Sequence, residues 1–176
     1  MAKRNNPEQR ALAILKETGL YQIPIPVEEV ARMIGLQVEA VKFGDDVSGA
    51  LMIKEGRGVI GYNASHSRVR QRFTVAHEIG HWEFHRHDSD LFLDKQYLVA
   101  LRDDRSSTGE NKWEIEANAF AAALLMPEGL LLEEIRKHHF DLATDGRILS
   151  DLAKRFLVSD QAMTFRLINL KLYFVG

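Results

Sequence analysis

Two histidines and a glutamate, His77, Glu78 and His81, have the order and spacing of residues that hold a catalytic metal ion. Residues four apart lie one above the other on one face of a helix, so the rings of His77 and His81 can reach a single point. Two imidazoles suit zinc, and Glu78 beside them is placed to take a proton from a zinc-activated water. The segment therefore predicts a hydrolase with Glu78 as its general base.

The residues around this segment are apolar or small, as in a buried helix. They are Phe73, Val75, Ala76, Ile79 and Gly80. The alternative is an ordinary surface helix in which the three residues have no shared role. Buried imidazoles and carboxylates need a partner, and a metal ion supplies one. We therefore expect a bound zinc ion.

Length and composition limit the kinds of protein that this chain can be. Its 176 residues fit one main unit, and the formal net charge of -2 gives no whole-chain basis for binding nucleic acid. The chain has no cysteine, so disulfides and thiolate zinc sites are excluded. The longest apolar run near the N-terminus, residues 11–15, is too short for a signal peptide or a membrane span. We expect a soluble, cytoplasmic protein that does not bind a membrane.

The hydrophobic pattern predicts the elements that position the motif. Two short helices, capped by Asn6 and ended by Gly19 and Gly35, precede a period-two segment that predicts a small antiparallel sheet over residues 36–62. A long helix capped by Ser65 then carries the motif and ends near residues 85–88. The free edge of such a sheet could hold an extended peptide beside the metal.

The second half of the chain is predicted to be mostly helical. Residues 88–109 mix isolated apolar residues with a polar run at 102–109. We interpret the polar run as a mobile loop that either covers the substrate or only connects elements. Helices follow at residues 110–126 and 128–137, separated by Pro127, and a helical pair closes the chain. The predicted fold class is α+β and zincin-like: a small antiparallel sheet on the motif helix, a second ligand-bearing helix and a C-terminal helical pair.

A catalytic zinc takes a third protein ligand, for which three candidates compete. His85 continues the four-residue spacing, but it lies roughly 12 Å from His77 along a straight helix, whereas zinc bonds are about 2 Å long. His85 is therefore a neighbour of the site, a substrate-side residue or a surface histidine. His87 matches the spacing of the metzincin proteases, but Phe84 occupies the position where their chain turns at glycine, and a bulky residue disfavours that turn.

Glu114 is the preferred third ligand. It lies on a separate alanine-rich helix, and small residues allow that helix to approach the motif helix closely. Asn118 shares the face of Glu114 one turn later, where its amide could orient a ligand histidine through the other ring nitrogen. Glu116, on another side of the helix, is the fallback.

The chain resembles the ImmA/IrrE family of metallopeptidases. The resemblance rests on residues 47–50 (VSGA), residues 72–81 (RFTVAHEIGH), His85 and above all residues 114–127 (EIEANAFAAALLMP). It implies that His77, His81 and Glu114 bind one zinc ion in a gluzincin-like site and that Glu78 is the base. It also implies a helix-turn-helix repressor as the substrate or partner, in mobile elements, stress responses or toxin-antitoxin-like pairs.

The C-terminal pair resembles a helix-turn-helix, with Ser159 capping the second helix. Because Arg166 and Lys171 are the basic residues in and just after that second helix, DNA binding is weakly supported, and packing on the peptidase unit is favoured. We divide the chain into a metallopeptidase domain, residues 1–140, and a helical subdomain, residues 141–176, packed on the first.

The sequence thus predicts a zinc endopeptidase that acts as an antirepressor. Tyr62, Tyr97 and His85 are candidates for stabilising the oxyanion, and the pattern does not choose among them. The alternative is a non-catalytic regulator that binds a repressor or DNA.

Overall fold

The computed structural model describes residues 6–94, 109–137 and 147–172, and no side chains at 109–111. Its helices are α1 (Pro7–Thr18), α2 (Val27–Met33), α3 (Arg68–His85), α4 (Gly109–Leu125), α5 (Glu128–Lys137), α6 (Ile148–Phe156) and α7 (Asp160–Asn169). Its strands are β1 (Gln37–Val41), β2 (Gly49–Lys54), β3 (Arg57–Asn63) and β4 (Leu91–Asp94). The fold is therefore α+β, as predicted.

The four strands form one mixed sheet in the order β1-β3-β2-β4. Strand β2 runs antiparallel to β3 and β4, but β1 pairs with β3 in parallel, Gln37 opposite Val59 and Val41 opposite Asn63. The prediction of an antiparallel sheet is therefore wrong for β1. A period of two shows that a segment is a strand but not which neighbour it pairs with, so the sequence left the direction open.

Strand β4 is an element that the sequence did not predict, and it lies among the isolated apolar residues that precede the polar run. Phe92 and Asp94 face the interior, whereas Leu91 and Leu93 are exposed. Four residues are too few for alternation to stand out from chance. The polar part of that segment, residues 102–108, lies outside the described residues.

The motif helix α3 begins two residues later than predicted, after Ser67 instead of Ser65. Ser65 is held by Asn63, whose Oδ1 accepts hydrogen bonds from the Ser65 backbone N–H at 3.0 Å and from its hydroxyl at 2.7 Å. Asn63 in turn donates to the carbonyls of Gly44 and Val47. A polar turn at the end of β3 therefore fixes where the motif helix begins.

Helix α3 packs between the sheet and helix α4. A Cβ atom at Gly80 would lie 2.9 Å from the Cα atom of Ala117, so the two helices approach closely where neither has a large side chain. The expected close approach of an alanine-rich helix is thus confirmed. It brings the first turns of α4 alongside the motif.

The C-terminal helices pack on the rest of the fold. Leu152, Phe156, Met163 and Leu167 belong to the same hydrophobic core as α1 and α3. Three hydrogen bonds add to this packing, since Arg166 donates from Nε to the carbonyl of Met126 at 2.9 Å and from both Nη atoms to Glu8. The predicted domain boundary at 140 lies outside the described residues, and the division stays a prediction.

By length and mean hydropathy the helical stretch Lys112–Lys137 could cross a membrane. However, 61% of its most apolar window is buried inside the fold. Core helices of soluble proteins pass the same test, so this stretch is weak support for a membrane span.

Replacing Gly80 with valine should push α3 and α4 apart, because the new side chain would overlap the backbone of Ala117. We expect the free energy of unfolding to fall by about 1–3 kcal/mol, measured by urea denaturation. The matched control is Ala119→Val on the exposed face of α4, which should change stability by less than about 1 kcal/mol. Equal stability of the two variants would contradict the packing described here.

Candidate metal centre

Three side chains converge where α3 meets the first turns of α4. Nε2 of His77 lies 2.9 Å from Nε2 of His81. The Glu114 carboxylate spans both rings, with Oε2 at 3.1 Å from His77 Nε2 and Oε1 at 3.2 Å from His81 Nε2. The structure therefore brings together the three residues that the sequence singled out as ligands.

The spacing of these atoms suits a small cation. Ligand atoms around a tetrahedral zinc, with bonds of about 2.0–2.1 Å, lie roughly 3.3 Å from one another. The three separations in this site are close to that value. Both histidines are buried, while the Glu114 side chain is 34% exposed, so the site is open to solvent on the side of α4.

The orientation of both rings is fixed by neighbours. Nδ1 of His77 is 3.0 Å from Oδ1 of Asn118, and since an amide oxygen accepts, His77 donates from Nδ1, which leaves Nε2 as the nitrogen that can bind a metal ion. Phe92, on strand β4, stacks on His81 with ring centroids 4.6 Å apart. The contact that the sequence predicted for Asn118 is present.

Glu78 is fully buried beside this group, and neither carboxylate oxygen has a hydrogen-bond partner among the described residues. The close neighbour on its strand side is Gly49, where an added Cβ atom would lie 3.6 Å from Glu78 Oε1 and 2.3 Å from Thr74 Cγ2. Strand β2 can lie this close to α3 because residue 49 has no side chain. Residues 47–50 (VSGA), which carry part of the family resemblance, therefore lie beside Glu78, the predicted base.

Asp94 is a site residue that sequence analysis missed. It is buried at the end of β4, and its carboxylate lies with His77 and Glu78 in a group whose ligand atoms are all within 4.8 Å of one another. The signal was weak, because Asp94 ends a strand of four residues next to a polar stretch. Pairing with β2 carries it to the motif, its carbonyl accepting from Ser48 N–H at 2.9 Å.

The pKa values of Glu78 and Glu114 are shifted in opposite directions. Burial raises the pKa of Glu78 to about 8, with Asp94 and Glu114 adding to the rise and His77 opposing it. Burial also acts to raise the pKa of Glu114, but its hydrogen bonds with His77 and His81 outweigh it and hold the pKa far below the usual range. Glu114 is therefore a carboxylate at neutral pH.

The pKa values of His77 and His81 are also shifted in opposite directions. Burial acts to lower the pKa of His77, but Glu114 and Glu78 outweigh it and raise the pKa to about 9. The pKa of His81 is lowered, first by burial and then by the nearby His77. Because the facing nitrogens are 2.9 Å apart, the pair cannot hold a proton on both, so the carboxylates stabilise one positive charge between the rings.

The other third-ligand candidates lie elsewhere. His85 is fully buried against Trp113, with ring centroids 5.4 Å apart, so its interpretation as a surface histidine is wrong. Glu116 points to His85, its Oε2 lying 3.6 Å from His85 Nε2. His87 is exposed, and α3 stays helical through Phe84, without the turn that would bring His87 back.

The described residues do not identify which of the predicted candidates would stabilise an oxyanion. Tyr62 lies on β3 and packs against the hydrophobic core. Tyr97 lies outside the described residues. His85 is separated from His81 by 5.5 Å between ring centroids. Their role in stabilising an oxyanion remains a prediction.

A histidine-glutamate helix completed by a carboxylate from a second helix is the arrangement of a metallopeptidase. The chain belongs to the peptidase family M78, whose IrrE N-terminal-like domain model matches residues 31–167. The ImmA/IrrE resemblance is thereby confirmed.

Two curated proteins are similar to the chain. The radiation response metalloprotease IrrE of Deinococcus radiodurans is 38% identical over 110 residues, which are 62% of this chain and 30% of that protein. An uncharacterized immunity region protein of Bacillus phage phi105 is 25% identical over 100 residues, covering 57% of this chain and 58% of the phage protein. The chain therefore spans about a third to somewhat over half of the length of these relatives.

A solved structure shares the fold. A transcriptional regulator of Mycobacterium tuberculosis superposes with a TM-score of 0.63 at 18% identity, covering 93% of this chain and 47% of the regulator. At that identity the likeness concerns the fold alone.

Replacing Asn118 with alanine should leave the His77 ring without its Nδ1 acceptor. We expect zinc affinity to fall about 10–100-fold, measured by competition with a chromogenic chelator, because outer partners fix the tautomer of a ligand histidine. Asn118→Asp keeps an acceptor oxygen and serves as the matched control, with affinity near that of the unsubstituted protein. An alanine variant that binds zinc as tightly as the aspartate variant would rule out this role.

Proposed function

We propose that the chain is a zinc-dependent endopeptidase that cleaves a helix-turn-helix transcriptional repressor and so acts as a cytoplasmic antirepressor. The observation that carries the proposal is the convergence of His77, His81 and Glu114 on one point, with the buried Glu78 alongside. Membership of a peptidase family supports the same chemistry.

His77, His81 and Glu114 would hold the zinc ion, and Asn118 would orient His77. The ion supplies Lewis acidity, which makes water a nucleophile at neutral pH and polarises a peptide carbonyl. Glu78 takes a proton from the attacking water on one carboxylate oxygen and then passes it to the leaving amine nitrogen. Its two oxygens are suited to this because no hydrogen bond from a described residue occupies them.

The choice of a repressor as substrate rests on the family. Similarity to a protein named for a phage immunity region and to one named for the radiation response is in keeping with it. A DNA-binding repressor works in the cytoplasm of a bacterium, which is why we place the chain there.

The alternative, direct DNA binding by the C-terminal pair, is disfavoured by the position of Arg166. Its guanidinium is buried against Glu8, with Nη2 at 2.6 Å from Oε1 and Nη1 at 2.8 Å from Oε2. A cation engaged in this way has little to offer a phosphate backbone. We therefore propose no DNA-binding function.

Glu78→Gln should keep zinc, because residue 78 is not a ligand, but slow cleavage about 10²–10⁴-fold, because an amide cannot take the proton. Glu114→Ala should lose both zinc and activity. The measurement pairs zinc content by atomic absorption with cleavage of purified helix-turn-helix repressors from the same organism. Glu116→Gln, on the same helix but beside His85, is the control and should change neither value much.

Two outcomes would overturn parts of this proposal. If Glu78→Gln cleaved the repressor as fast as the unsubstituted protein, the base would be another residue. If the Glu78→Gln variant left the repressor intact but still relieved repression in cells, the chain would act by binding, as a non-catalytic regulator.

A further inference from the structure

A groove with a volume of about 360 Å³ lies between α3, α4 and α7. Helix α4 lines it with Ile115, Asn118, Ala119 and Ala122, and α7 with Ala162 and Phe165. Clefts that bind small molecules and side chains begin at volumes of about 300 Å³, so the groove is large enough for a leucine, methionine or phenylalanine side chain.

The walls of the groove are apolar and partly open to water. The side chains of Ile115 and Phe165, on opposite walls, are 55% and 37% exposed. Ala119, Ala122 and Ala162 between them are small, which leaves the space open. Large apolar groups that stay exposed around a concave surface are typical of a site that another molecule covers.

The cationic side chains at the groove are already engaged within the fold. Arg166 is bonded to Glu8 and to the carbonyl of Met126, and Arg70 donates from Nη2 to Ser48 Oγ at 2.8 Å. The lining thus favours an apolar occupant over an anionic one.

The groove adjoins the metal centre through helix α4. Asn118 lines the groove and also bonds to His77, and Ile115 directly follows Glu114 in α4. A polypeptide whose scissile bond lies at the metal centre is therefore within reach of the groove with a side chain near that bond.

We propose that this groove binds a large apolar side chain of the substrate next to the scissile bond, and that Ile115, Ala119 and Phe165 determine this preference. The inference rests on the proposed peptidase function. It adds a specificity that neither the motif nor the family defines: leucine, isoleucine, methionine or phenylalanine at one position flanking the cut.

The test uses the full chain loaded with zinc and a library of peptides from a digested bacterial proteome. Mass spectrometry of the new termini should show large apolar residues enriched at one position beside the cut. Ala119→Trp should fill the groove and lower cleavage of those peptides at least about tenfold relative to peptides with alanine there. Phe165→Ala, which removes one wall, should weaken the same preference.

The matched control is Met33→Trp, which adds the same ring to an exposed position on α2, away from the groove. It should leave the cleavage profile unchanged, and zinc content and thermal unfolding should be alike in all variants. An unchanged profile in Ala119→Trp, or no apolar preference in the unsubstituted protein, would overturn the inference.

A binding assay separates this inference from the proposed function. The Glu78→Gln protein is immobilised and the same peptides are passed over it, with and without Ala119→Trp. Retention of peptides with large apolar residues, lost on Ala119→Trp, supports the groove even if the active protein cuts nothing, and that result would overturn only the peptidase proposal. If no peptide is either cut or selectively retained, the groove inference is wrong.

Discussion

The close approach of α3 and α4 is the constraint on which the site depends. Gly80 and Ala117 let the two backbones come so near that a single added carbon would overlap them. This separation allows the short side chain of Glu114 to reach both His77 and His81 at 3.1–3.2 Å. Since ligand geometry tolerates errors of a few tenths of an ångström, a wider helix pair would lose the carboxylate from the group.

A second close approach, between strand β2 and α3, positions Glu78 on the other side of the helix. Gly49 lets strand β2 lie against the helix at Glu78, so the carboxylate is excluded from water between helix and sheet. Burial of a carboxylate is costly, which raises the pKa of Glu78 to about 8, and the neighbouring His77 offsets part of that cost. The site therefore gathers carboxylates around two imidazoles, a charge distribution that attracts a cation.

The C-terminal helices lie beside the site because they pack on the same core, although they are distant from the motif in the sequence. The C-terminal helices belong to the same core as the motif helix, and Arg166 joins α7 to α1 through Glu8. As a result α7 forms one wall of the groove beside the metal centre. The segment that resembles a DNA-binding element thus lines the groove that we propose as part of the substrate site.

Much of the local structure followed from the sequence. The Asn6 cap, the glycine that ends α1, the bounds of α5 and the Ser159 cap were all predictable, because capping and helix-breaking depend on a few neighbouring residues. The cap of α3 was misplaced because Ser65 is held by the side chain of Asn63, a competition that local pattern does not reveal.

The sequence by itself predicted the donor set: two histidines four residues apart on one helix with a glutamate next to the first, and a distant glutamate and asparagine sharing a face of another. It could do so because side-chain direction along a helix is fixed by its period. Only the tertiary structure showed that Glu114, the preferred candidate, meets the histidines while Glu116 faces His85, that Asp94 joins Glu78, and that β1 runs parallel to β3. Those outcomes depend on the rotation and separation of packed elements, which arise from contacts between residues far apart in the chain.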